Sequence, residues 1–180
     1  MDLTELQTFE KRVRVRYELQ RALRSVAGFS PVLLVIVLAA LMGRRPQAAI
    51  AFGALLFVSG VFFLWRGQSL RRAVFSGVTT GLVPLGLALL ANRGHGCAGG
   101  HCSTWCLPAC ILGGVIGGTA VSWVARRQGQ GWAFWAGATA MTLLTGAMGC
   151  ACIGSAGVVG LCLGYLAAAA PWGLIRWAQS

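Results

Sequence analysis

Apolar residues fall in six long runs separated by short polar stretches, at Val26–Met42, Ala48–Trp65, Ala73–Ala91, Leu107–Ala125, Trp132–Met148 and Cys150–Ala170. Each run has about 17–21 residues, close to the ~20 that carry a helix across a ~30 Å hydrocarbon core. In lipid the backbone must satisfy its own polar groups, so each run predicts a helix. The short alternating segments of a barrel are missing. Glycine, arginine and proline punctuate the ends, as in Gly43-Arg44-Arg45-Pro46 and Arg126-Arg127-Gln128-Gly129. Trp65, Trp123, Trp132, Trp135, Trp172 and Trp177 stand near run ends, where amphipathic rings prefer the interface. Pro84 predicts a kink in the third run, and Pro171 a helix end after the sixth. The expected fold is an all-α membrane protein, a compact bundle of six transmembrane helices preceded by an N-terminal amphipathic helix.

That helix lies in residues 1–25, a polar and basic arm ahead of the transmembrane domain of residues 26–180. Leu6, Phe9, Val13 and Tyr17 recur at three- and four-residue steps, which is helical spacing. Asp2 and Glu5 have the spacing of a capping box, and Glu10 can pair with Arg14 one turn on. The alternation over Arg12–Tyr17 leaves a short strand as the weaker alternative. Such an arm either lies on lipid headgroups or docks a cytoplasmic protein with an acidic face. For docking, the candidate residues are Phe9, Lys11, Arg12, Arg14, Arg16 and Tyr17.

Composition agrees with the pattern. The chain has 180 residues, 57% hydrophobic and only 11% charged, with a mean hydropathy of +0.72. A soluble surface needs more polar cover than that. All four carboxylates, Asp2, Glu5, Glu10 and Glu18, lie in the arm. Paired carboxylates, carboxylate metal sites and intramembrane carboxylate relays are therefore excluded beyond it. The net charge of +11 reads as an orientation signal and headgroup contact, not as a nucleic-acid footprint. With the N-terminus inside, twelve Lys and Arg residues fall on the inner side and only Arg44, Arg45 and Arg93 on the outer side. This bias predicts a multi-pass inner-membrane protein with both termini cytoplasmic.

Glycines four residues apart make flat packing faces in membrane helices. Gly77 and Gly81, Gly113 and Gly117, Gly114 and Gly118, and Gly160 and Gly164 have this spacing. Hydroxyl side chains such as Thr79, Thr80, Thr119, Ser122, Thr139, Thr142 and Thr145 are expected to bond mainly to their own helix backbone.

Chemistry concentrates at residues 93–110, which hold both histidines and four of the seven cysteines. In the expected topology Cys97, Cys102, Cys106 and Cys110 share the outer face with Cys150 and Cys152, leaving Cys162 inside a run. An even set in an oxidising compartment reads as disulfides. Cys102, Cys106 and Cys110 on one helical face would have Cβ atoms ~5–6 Å apart, too far for the ~3.8 Å of a disulfide. Each would then pair with Cys97, Cys150 or Cys152, unless Pro108 starts the helix after Cys106 and loosens that spacing. A redox- or metal-responsive switch is the competing reading, with Zn or Cu held by His95, His101, Cys97, Cys102 and Cys106. The chain has no Cys-x-x-Cys, no triad outside the arm and no phosphate-binding glycine loop, so no enzyme is expected.

The basic arm with Lys11, Arg12, Arg14 and Arg16, the six runs, and outer cysteines such as Cys106 and Cys110 together resemble the six-helix membrane-bound anti-sigma factors of the NrsF-like group. The likeness covers the whole chain in architecture, and the dense Cys/His loop departs from it. It implies an arm that holds a cytoplasmic sigma factor and outer thiols that sense redox or metal state. The alternative function is a transporter or channel for a metal ion or small solute, with the Cys/His loop as its capture site. A structural scaffold subunit is the third.

Overall fold

The computed structural model describes residues 3–42, 46–66, 68–94, 106–127, 131–151 and 154–177. Among them the chain is all-helical, with seven helices: α1 Leu3–Phe29, α2 Pro31–Met42, α3 Pro46–Arg66, α4 Gln68–Gly94, α5 Cys106–Arg127, α6 Trp132–Cys150 and α7 Ser155–Trp177. Four stretches, Pro46–Arg66, Leu70–Ala91, Cys106–Arg127 and Ser155–Trp172, are long and apolar enough to cross a membrane. A fifth is obtained if α1 and α2 count as one broken span. The arm is helical throughout, so the strand alternative over Arg12–Tyr17 is excluded.

Three boundaries differ from expectation. The first apolar run is broken: α1 and α2 meet at Ser30 with a 43° bend. Pro31 opens α2, where its missing N–H costs nothing, and it disfavours helical geometry at the residue before it. The Ser30 hydroxyl donates to the Ala27 carbonyl (2.8 Å), serving an acceptor freed at the end of α1. The last helix does not stop at Pro171 but continues to Trp177. A proline removes one intrahelical bond without ending a membrane helix when neighbouring groups compensate. Cys150 closes α6 and does not open the last span; Gly154, at φ 97°, turns the chain into α7.

The helices alternate in direction. Gly53 of α3 faces Ile36 of α2, and Gly60 faces Phe29 of α1, so α3 runs back along the bent pair. Gly113 of α5 meets Pro84 of α4 in a second antiparallel crossing, with α4 helical through the proline. Gly77 lies against Ala138 and Met141, Gly81 against Thr142 and Thr145, and Gly149 against Leu85 and Ala88. These contacts advance together along both helices, so α6 runs parallel to α4. By the same test α5 and α7 are parallel, with Gly160 on Leu107 and Gly118 on Tyr165 and Ala168.

The tightest contact is between α5 and α7. A Cβ on Gly114 would collide with the Leu161 carbonyl, and one on Gly164 with the Ile111 carbonyl. Only hydrogen at these positions lets the two backbones approach so closely.

α6 is the centre of the bundle. Eleven of its nineteen residues are buried, from Phe134 to Cys150. It carries no charge, yet it is not among the four helices that pass as spans by length and apolarity. Its neighbours are helices and not lipid, so Gly137, Thr142, Thr145 and Gly146 can replace bulky apolar groups. Met141 and Met148 join Phe29, Leu56 and Leu85 in one core cluster. Phe134 and Ala138 join Val121 and Tyr165 in another.

Candidate functional site

Two ends of the bundle carry the chemistry, with a polar seam between them. At one end, α5 begins at Cys106 and α6 finishes at Cys150. Cys106 and Cys110 stand one turn apart on a buried face of α5, at 2% and 0% exposure, and Cys150 is 0% exposed. Cys110 and Cys150 pack with Ala88, Ala147 and Leu161, bounded by Phe52 and Val158. The two side chains thus meet in one cluster on facing helices. No disulfide joins any two of the described cysteines. Cys162 lies half-buried along α7, outside this cluster. His95, Cys97, His101, Cys102 and Cys152 lie outside the described residues, and with them most of the proposed Zn or Cu ligands. Among the described residues no group of three metal-ligating side chains gathers.

Two buried thiols in one cluster on facing helices have one evident reaction. One thiolate attacks an external disulfide, giving a mixed disulfide and releasing one thiol. The second thiolate then displaces the other, so the pair is oxidised to a disulfide and the external disulfide is reduced to two thiols. A disulfide requires its two sulfurs ~2.05 Å apart, so forming it pulls α5 toward α6.

The seam lies deeper. The single hydroxyl proton of Thr142 on α6 is shared between the Ala138 carbonyl of its own helix (2.8 Å) and the Gly77 carbonyl of α4 (3.0 Å). Thr80 of α4 sits 2.9 Å from the Thr142 hydroxyl. Thr139 of α6 pairs with the hydroxyl of Tyr165 on α7 at 2.8 Å. Thr79, Thr119 and Thr145 bond only within their own helices. Interhelical bonds of this kind average only ~0.6 kcal/mol in membranes. They align α4, α6 and α7, while packing holds them together. Tyr165 is fully buried, and helical spacing does not mark it; its signal is a lone tyrosine inside an apolar run.

At the other end the arm stands clear. From Glu10 to Arg24 every residue is exposed except half-buried Ala22, and burial begins at Ser25. Lys11, Arg12, Arg14, Arg16 and Tyr17 are all exposed on α1. Phe9 lies on the same helix. The helix directions bring Arg66, Arg71, Arg72, Arg126 and Arg127 to this end as well. Arg66 covers the ring of Phe62 at 5.4 Å, Arg126 that of Trp172 at 4.5 Å and Arg127 that of Trp123 at 4.2 Å. Such stacking fits guanidinium groups anchored at a membrane boundary.

Comparison with protein-family models, with curated proteins and with solved structures returns no match, so the site stands on its own geometry.

Proposed function

We propose that the chain is a regulatory protein of the cell inner membrane, of the anti-sigma type, whose arm holds a cytoplasmic partner. The observation that carries this reading is the exposure of α1 from Glu10 to Arg24. A helix of four turns with Val13, Val15, Tyr17, Leu19 and Leu23 open to solvent leaves apolar surface that a partner would cover. Its cations suit an acidic face, and a sigma factor is the partner class the resemblance implies.

The proposed topology has six crossings: the bent α1–α2 pair and α3 to α7. Two features support it. Adjacent helices alternate in direction, and α6 spans the same levels as α4, from Leu70 and Ala73 at Gly137 to Ala88 at Gly149. The arginine-rich end is then cytoplasmic by charge bias, and the cysteine end faces out. Oxidation of Cys110 and Cys150 would tighten α5 on α6. Because α6 contacts α4 along its length, the change reaches the arm end. The mechanism requires two packings of similar energy.

Affinity capture with the full chain and with a chain lacking residues 1–24 tests the proposal. It predicts one cytoplasmic protein lost on truncation. Identical partners for both chains would sink it. A thiol oxidant should release that protein from the full chain and leave it bound to a Cys110→Ser variant.

A further inference from the structure

Between the base of the arm and the bundle lies a cavity of about 620 Å³. Arg21 and Arg24 of α1 enter it from one side and Arg71 of α4 from another. Tyr17 and Gln20 add a hydroxyl and an amide at its rim, while Leu64 and Phe75 supply apolar wall. No carboxylate is among the described residues that line it. Three guanidinium groups facing one space repel each other at short range. Unlike Arg66, Arg126 and Arg127, none of the three is stacked on a ring among the described residues.

The depth of the cavity narrows the ligand. Leu64 is two residues short of the end of the Pro46–Arg66 span, and Arg71 is the second residue of the Leu70–Ala91 span. The cavity is therefore level with the span ends, where headgroups lie. Ala22, next to Arg21 on α1, closes an apolar crevice of about 420 Å³ against Phe57, Val61, Phe62 and Trp65 of α3. The surface next to the arginines is thus suited to acyl chains. Guanidinium groups bind phosphate oxygens in bidentate fashion, and basic pockets between membrane helices on the cytoplasmic side suit anionic head groups.

We propose that Arg21, Arg24 and Arg71 form a binding site for a phosphate group, supplied by the head of an anionic phospholipid. The bound phosphate neutralises the three cations and ties the base of α1 to the start of α4. It fixes the direction in which the arm leaves the membrane. The site shares Tyr17 with the Lys11–Tyr17 surface assigned to a protein partner, but its three arginines lie outside that stretch, so the arginine variants test it separately.

The test uses the full chain in neutral detergent with phosphatidylglycerol and phosphatidylcholine added, and native mass spectrometry to count retained lipid. Wild-type protein should retain phosphatidylglycerol preferentially. R21Q/R24Q/R71Q should weaken that retention at least about tenfold, and R71Q alone should give a smaller loss should the triple variant fold poorly. R126Q/R127Q removes charge at the same end and should retain the lipid. Millimolar inorganic phosphate should not displace the lipid; displacement would assign the site to the free anion and overturn the lipid assignment. Equal retention by the triple variant and wild type would overturn the site. Equal loss in R126Q/R127Q would reduce it to bulk charge and overturn it too. Loss of phosphatidylglycerol on adding an acidic cytoplasmic protein would assign the cavity to that protein instead.

Discussion

Cys110 of α5 and Cys150 of α6 lie together in one buried cluster with Ala88, Ala147 and Leu161. They are forty residues apart in sequence, and only the crossing of two helices brings them together. Mild oxidation of the folded protein is expected to join them. Mass mapping after blocking free thiols should find the Cys110–Cys150 peptide, and a Cys150→Ser variant should lack it. Recovery of Cys110 as the blocked thiol under the same oxidant would contradict the pairing.

The α5–α7 contact predicts an asymmetric glycine series. Gly114→Val places a branched side chain on the Leu161 carbonyl and the Tyr165 backbone. It should lower stability by more than about 2 kcal/mol, as overpacking in a dense interior does. Gly86→Ala meets nothing within 4 Å and should be neutral, or stabilising by up to about 1 kcal/mol from helix propensity. Thermal melting in a single detergent compares the two.

The seam between α4 and α6 predicts modest, coupled losses. Thr142→Val removes the bonds to Gly77 and Thr80 while keeping shape. It should cost roughly 0.5–1.7 kcal/mol. A Thr80→Val change made on top of it should add less than it does alone, because the two hydroxyls share one bond. Ser122 is buried with no partner for its hydroxyl among the described residues. Ser122→Ala is therefore expected to be neutral or stabilising, since an unsatisfied buried hydroxyl is lost.

Amide exchange should separate the arm from the core. The interior of α6, from Ala138 to Met148, is enclosed on most sides and should exchange slowest. Glu10–Leu23 of α1 should exchange fastest among the helices when the chain is alone, and slow when a partner binds. Equal protection of the two segments in the isolated chain would contradict the picture of a free-standing arm.

The helical class was legible because composition and run length leave the chain no other way to bury its apolar surface. The helical arm was legible from Leu6, Phe9, Val13 and Tyr17. The break at Ser30 was not read, although Ser-Pro inside an apolar run is a boundary signal, because run length alone treats Val26–Met42 as one element. Pro171 misled in the opposite sense: a proline rule drawn from isolated helices overstates its effect within a packed bundle. The central place of α6 was hidden for a related reason. Hydropathy ranks a helix by its fitness for lipid, whereas Gly137, Thr142 and Gly146 suit contact with other helices. Glycine spacing marks flat faces but not the helix each face meets, so the parallel pairing of α5 with α7 had no sequence signal. The same holds for Arg21, Arg24 and Arg71, which lie on two helices and share a cavity only in three dimensions.

A crosslink within the membrane-bound protein tests the docking role of α1 most directly. A photo-reactive residue placed at Arg14, in cells expressing the otherwise intact chain, should capture one cytoplasmic protein, and the yield should fall when cells are treated with a thiol oxidant. Capture of lipid alone at Arg14, with no protein adduct in either redox state, would contradict a docking role and leave α1 as a helix lying on the membrane surface.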